Sequence, residues 1–214
     1  GNARPAATYI QPGTPDYDPS TTQELGQFDT AQSAKLLDEA GWKLGSDGFR
    51  YKDGKKLTLQ LYGFQGGRSP KIGEAVQGYW RKIGVDLQLQ MWDGTIVFSK
   101  LAQQDYDIWS ISFPYHSAGD ALLLYFHSRN IPTPNRMNWS DPLTDENLKL
   151  GRASLTDGDR AKYYGLVQKR VTEQHLWMPV MNIAMYTTSL KKLKGVRPHM
   201  LYQNTFYKGL DYSF

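Results

Sequence analysis

The strongest constraint on this chain is an alternation of strand and helix patterns joined by short connections. In LTLQLYG, Leu57, Leu59 and Leu61 fall on one face, as in a strand. After the loop GFQGGRSP a helix is expected, with Ser69 as its cap, Pro70 in its first position and Ile72, Val76, Tyr79, Trp80 and Ile83 on its apolar stripe; Gly84 ends it. Val85, Leu87, Leu89 and Met91 alternate in a second strand. Asp93 then caps a short helix bearing Val97 and Leu101, and YDIWSISF at 106–113 supplies a third strand. Strand–helix–strand–helix–strand with right-handed crossovers predicts a small parallel sheet flanked by helices, an α/β fold.

The flanks read differently. Residues 1–28 carry Pro5, Pro12, Pro15 and Pro19 without periodicity and are expected to run extended over the surface. Asp29, with Gln32 at capping-box spacing, starts a helix over Ala34, Leu37 and Ala40, and Gly41 ends it. Asp53-Gly54 marks a hairpin turn within FRYKDGKKLTLQLYG. Beyond the third strand come a weak helix near 120–127, a polar loop at 128–141, a longer helix from about Asp157 to His175, and an apolar strand in WMPVMNIAMYTT. The tail from Ser189 is irregular and basic, with Lys191, Lys192, Lys194 and Arg197. The expected organisation is a segment at 1–28, one α/β lobe at 29–190 and a tail at 191–214.

Composition removes several function classes. Without cysteine there is no disulfide, thiolate metal site or cysteine nucleophile. A net charge of +4 is too small and dispersed to imply nucleic acid. No apolar run approaches the roughly 20 residues of a membrane span. No GxSxG, HExxH, Walker or GxGxxG motif occurs, and His116, His127, His175 and His199 lack metal-ligand spacing, so neither a cofactor nor a metal is expected. Asp105/Asp107, Asp141/Asp145 and Asp157/Asp159 are the carboxylate pairs a glycosidase reading would use. Each stands at a turn or helix start, where aspartate caps backbone amides.

Open α/β sheets bind ligands beyond the carboxyl ends of their strands, which points to loops 62–68, 91–95 and 113–120. Arg68, beside a helix N-terminus and after Gly63, Gly66 and Gly67, suits an anionic group. Trp92, Trp109 and Tyr115 suit stacking or apolar contact, His116 a polar or anionic group, and Asp120 a cation. A 13% aromatic content serves both a core and such a surface.

The order of DTAQSAKLLDEAGWKLGSDGFRYKDGKKLTLQL, YWRKIGVDLQLQ, YDIWSISF, the 140–181 stretch SDPLTDENLKLGRASLTDGDRAKYYGLVQKRVTEQHLWMPVM and finally LKGVRP resembles the carboxyl-terminal lobe of the peptide/nickel-type (family 5) extracytoplasmic solute-binding proteins that serve ABC importers. The resemblance covers nearly the whole chain. It implies a type II periplasmic-binding-protein-like lobe without catalysis, which holds a peptide, oligosaccharide or opine-like solute against a second, amino-terminal lobe missing from this sequence. It also implies a cell-envelope location and an ABC permease as partner. Residues 1–28 then become the crossover from the missing lobe, and the uncovered cleft face a place where copies could associate. Peptide-binding members commonly carry W-x-x-D after the third strand. Here Phe113 and His116 stand at those positions, which weakens the case for a peptide ammonium and favours acidic or sugar-like solutes.

Overall fold

The computed structural model describes residues 3–21, 28–111, 115, 117–184, 186, 188–192 and 194. The chain divides into two compact units, a continuous one at Gly26–Ser112 and a discontinuous one made of Gly1–Leu25 with Phe113–Phe214. The boundary at 112–113 falls inside the span expected as a single lobe. Connectivity explains the difference: the chain leaves the discontinuous unit, completes the continuous one, and returns to the discontinuous one.

Strand β1 (Ala3–Pro5) belongs to the discontinuous unit, and the continuous unit opens with helix α1 (Thr30–Glu39). The Asp29 carboxylate accepts the Gln32 N–H at 2.8 Å, and Gly41 adopts a φ of +90° beyond the helix end. Strands β2 (Lys43–Leu44), β3 (Arg50–Lys52) and β4 (Lys55–Lys56) form an antiparallel sheet. Asp53 and Gly54 make its tight turn with φ of 51° and 74°, as the Asp-Gly pair predicts. Arg50, only 3% exposed, ties these parts together. It donates to the carbonyls of Ile83 at 2.7 Å and Trp42 at 2.6 Å and to the Asp38 carboxylate at 2.8 Å.

The second sheet is the predicted parallel one. Strands β5 (Thr58–Phe64), β6 (Asp86–Trp92) and β7 (Ile108–Trp109) run in the order β6-β5-β7, all parallel. Register aligns Phe64 with Trp92, and Tyr62 with Trp109. Among the described residues the third strand is shorter than YDIWSISF suggested. Helix α2 (Ser69–Arg81) starts one residue earlier than expected, with Arg68 as its cap. It packs close because Gly73 has no side chain: a Cβ there would meet the Met91 Cε at 2.8 Å. Helix α3 (Gly94–Gln103) buries Val97 and Leu101 against Tyr62. Burial on that scale is worth about 1.5–3 kcal/mol per side chain.

The discontinuous unit is helical around one core. It contains α4 (Ala118–Phe126), α5 (Pro142–Ala153) and α6 (Asp157–Glu173), and its strand β8 (Met181–Ile183) pairs antiparallel with β1. Leu122, Phe126, Leu148, Val167 and Val171 form the core, and Tyr164 lies between α4 and α5. A Cβ on Gly119 would sit 2.5 Å from the Tyr164 ring, and one on Gly151 2.6 Å from it. The phenol therefore fills the space two side chains have vacated.

Two expectations change here. The proline-rich segment runs only partly over the surface: Pro5, Pro12, Pro15 and Pro19 are exposed as expected, but Ile10 is fully buried, and Ala6, Thr8 and Thr14 nearly so. An aperiodic segment can be buried when other groups satisfy its backbone. Gln168, itself fully buried, donates to the Asp16 carbonyl at 2.9 Å and accepts the Asp18 N–H at 3.1 Å. Arg160 grips the Asp16 carboxylate at 2.9 and 3.0 Å. Helix α5 is an added element that apolar periodicity does not predict, with Asp141, read as a cap, at its start and Pro142 in its first position.

Candidate functional site

The carboxyl ends of β5 and β6 carry Phe64 and Trp92, and beyond them lies a shallow depression of about 470 Å³. Its walls are Phe64, Gln65, Gly66 and Ser69 from the β5–α2 connection and Asp93 and Gly94 from the β6–α3 connection. Two of the three loops expected from strand-end position border this depression. The residue types of Gln65 and Ser69 do not mark them as lining, although Ser69 is expected as a helix cap.

Asp93 performs the expected cap. Its carboxylate accepts the Thr95 N–H at 2.9 Å and hydroxyl at 2.8 Å, and Gln65 Nε2 lies 3.4 Å from its other oxygen. The Thr95 amide, with these other donors, holds the Asp93 carboxyl below the usual carboxylate range, so it presents a fixed negative charge to the depression.

Behind the rim stands an aromatic cluster. Tyr62, Trp92, Tyr106 and Trp109 pack with Val97 and Leu101, the Tyr62 ring meeting Trp92 edge-on at 6.1 Å and Tyr106 at 5.4 Å. Burial pushes the Tyr62 hydroxyl upward in pKa, with the Asp105 charge adding to it. The Lys100 ammonium sits 4.9 Å from the Trp92 ring centroid. The Trp92 indole N–H is buried and has no acceptor among the described residues. An orphan donor of this kind costs about 1–3 kcal/mol.

Arg68 is exposed at the start of α2 and gives no side-chain cap, which leaves its guanidinium without a hydrogen bond or ion pair among the described residues. Gly67 adopts a φ of +67°, so the turn before Arg68 favours glycine, and Gly66 has no neighbour within 4 Å of a would-be Cβ. Gly63 differs: its Cβ would press on the Met91 sulfur at 3.1 Å, so it serves strand packing.

Of the six residues expected at a site, Arg68, Trp92 and Trp109 share the continuous unit, the two tryptophans in one cluster. Tyr115 and Asp120 belong to the discontinuous unit, and His116 lies outside the described residues. The Tyr115 hydroxyl donates to the Tyr9 carbonyl at 3.0 Å and accepts the Gln11 N–H at 2.6 Å, so it holds the buried amino-terminal segment. Asp120 is exposed in the first turn of α4, with its N–H on the Ser117 hydroxyl at 3.1 Å.

Most of these carboxylates are committed elsewhere. Asp107 accepts the Gln60 N–H at 2.7 Å, Asp141 is ion-paired with Arg170, Asp145 accepts from Ser128, Asp157 meets Arg160 at 2.9 Å, and Asp159 closes a cap with Thr156. Among the described residues no group of three or more His, Asp or Glu is placed to hold a metal ion. No helix among them is long and apolar enough to cross a membrane.

A parallel sheet whose strand ends carry aromatic and polar groups suits binding. Residues 1–132 match the family model for bacterial extracellular solute-binding proteins, family 5 (middle region). The chain belongs to that family. The oligopeptide-binding protein OppA of Lactococcus lactis subsp. lactis (strain IL1403) is 38% identical over 92 residues, covering 42% of this chain and 15% of that protein. Among solved structures, the oligopeptide-binding protein AppA of Bacillus subtilis, in complex with a nonapeptide, aligns with a TM-score of 0.73 at 22% identity, covering 94% of this chain and 41% of that one. A nickel ABC transporter structure from Bacillus halodurans gives 0.74 at 19% identity, over 99% and 44%. At these identities the structural likeness establishes the fold, that of family 5 periplasmic binding proteins. The chain spans about 15% of the length of the lactococcal OppA and 36% of that of the di/tripeptide-binding protein 2 of Pseudomonas aeruginosa.

Proposed function

We propose that this chain is the solute-contacting part of an extracytoplasmic receptor that captures a solute between two lobes and hands it to an ABC permease, without chemical conversion. The carrying observation is the depression at the carboxyl ends of β5 and β6, rimmed by Phe64 and Asp93 and backed by Trp92. It occurs in a family 5 chain, where strand ends are the place for a ligand. The second lobe would lie in the remainder of a longer parent, with residues 1–28 leading from it. Trp92 and Trp109 would give stacking or apolar contact and Arg68 would hold an anionic group. By residue type, His116 would hold a polar or anionic group and Asp120 a cation.

The solute class is a peptide, an oligosaccharide or an opine-like conjugate. Phe113 and His116 at the places of the peptide-type W-x-x-D favour the latter two. Native mass spectrometry of the two-lobed parent identifies the copurifying solute. Calorimetry with that solute then compares the parent with its Arg68→Ala and Trp92→Ala variants. Both substitutions should weaken binding, and unchanged affinity in both removes this surface from the site.

A further inference from the structure

The discontinuous unit holds a second cleft, about 740 Å³, between the end of α4 and the length of α5. It shares no lining residue with the depression at the strand ends. Its volume lies within the range of small-molecule sites.

The charges around this cleft do not cancel locally. Asp145 is fully engaged: it accepts the Ser128 N–H at 2.9 Å and the Ser128 hydroxyl, and lies 3.1 Å from the His127 ring nitrogen. Glu146 faces Lys149 at 3.6 Å. That leaves Arg129 and Arg152, both exposed on the cleft wall, with no acidic partner among the described residues. Two guanidinium forks on one concave surface are suited to a planar, doubly accepting anion. The cleft also presents apolar surface from Leu123, Pro142 and Ala153, which an inorganic anion would not use.

We propose that this cleft binds an amphipathic organic anion, a carboxylate or comparable acid group on a short apolar body. Arg129 and Arg152 take the acid group, and Leu123, Pro142 and Ala153 receive the apolar part. This site goes beyond solute capture at the strand ends and does not depend on it.

The test uses octanoate as probe, with inorganic phosphate and octanol as single-feature controls. Amide chemical shifts of the full chain are followed by NMR during each titration. Octanoate should bind saturably, with shifts concentrated over residues 123–153, and more tightly than either control. The Arg129→Gln/Arg152→Gln double variant should lose roughly tenfold or more in affinity while keeping the wild-type urea midpoint, since both side chains are exposed. Phosphate or octanol binding as tightly as octanoate overturns the proposal. So does octanoate that fails to saturate, shifts centred on the continuous unit, or an unchanged affinity in the double variant. Solute binding by the parent is read at Arg68 and Trp92, so failure of either idea leaves the other standing.

Discussion

Asp141→Asn isolates one charge in the discontinuous unit. Asp141 caps α5 through the Thr144 N–H at 3.0 Å and takes a two-point grip from Arg170 at 2.5 and 2.9 Å. The Arg170 hydrogen bond, with smaller help from Thr144, pulls its carboxyl down from 3.8 to about 2. A depressed carboxylate stabilises the fold above its unfolded pKa and ceases to do so as pH falls through its folded pKa. The shift corresponds to about 2.4 kcal/mol at neutral pH. Arg170 is 34% exposed, so solvent screening trims this to about 2 kcal/mol. Asparagine caps a helix as well as aspartate does, so the substitution removes mainly the ion pair. In urea melts followed by circular dichroism, the variant should be about 2 kcal/mol less stable than wild type at about pH 7 and equally so at about pH 5. At about pH 3 the deficit should fall to roughly half. A deficit that stays constant down to pH 3 would refute the electrostatic account, and so would its absence at pH 7.

Other perturbations test the packing and the tie to the amino-terminal segment. Gly151→Ala should cost about 1–3 kcal/mol, because its methyl meets the ring of a Tyr164 already confined by Gly119; a neutral result in the same melts would show that the ring can move aside. Arg50→Met should cost about 3 kcal/mol by leaving the Ile83 and Trp42 carbonyls unmet, whereas an unchanged midpoint would mean water replaces the guanidinium. Tyr115→Phe strands the Gln11 N–H and should cost about 1 kcal/mol, with faster amide exchange over residues 6–14; unaltered exchange there would deny its part in holding the segment.

The continuous unit was legible because its rules are local. Alternating leucines, Asp29, Asp93 and Asp53-Gly54 each settle their own neighbourhood, and the parallel sheet follows from their order. Local signals failed where partners are distant. Nothing near Ile10 announces burial, because the groups that satisfy its segment, Tyr115 and Gln168, come more than 100 residues later. Helix α5 has only a weak apolar stripe in LTDENLKLGRA to announce it, because its stability comes from Leu148 in the core and the Arg170 grip on its cap. Two of the strand-end loops border the depression, while Trp92 and Trp109 pack in the aromatic cluster and are not among its lining residues. Tyr115 drew attention by residue type, yet its hydroxyl serves the backbone. The Gln65 and Ser69 lining depends on how one loop folds over another, which residue type does not encode.

The split of the discontinuous unit also has a bearing on time. Asp16 and its partner Arg160 are separated by 144 positions, and at a ribosomal rate of about 5–20 residues per second the first would wait on the order of 7–30 s for the second. All of Gly26–Ser112 emerges within that interval and is free to close on itself. Ile10 and its neighbours meanwhile have no core to enter. The amino-terminal segment thus stays unseated until the later half of its own unit has been made.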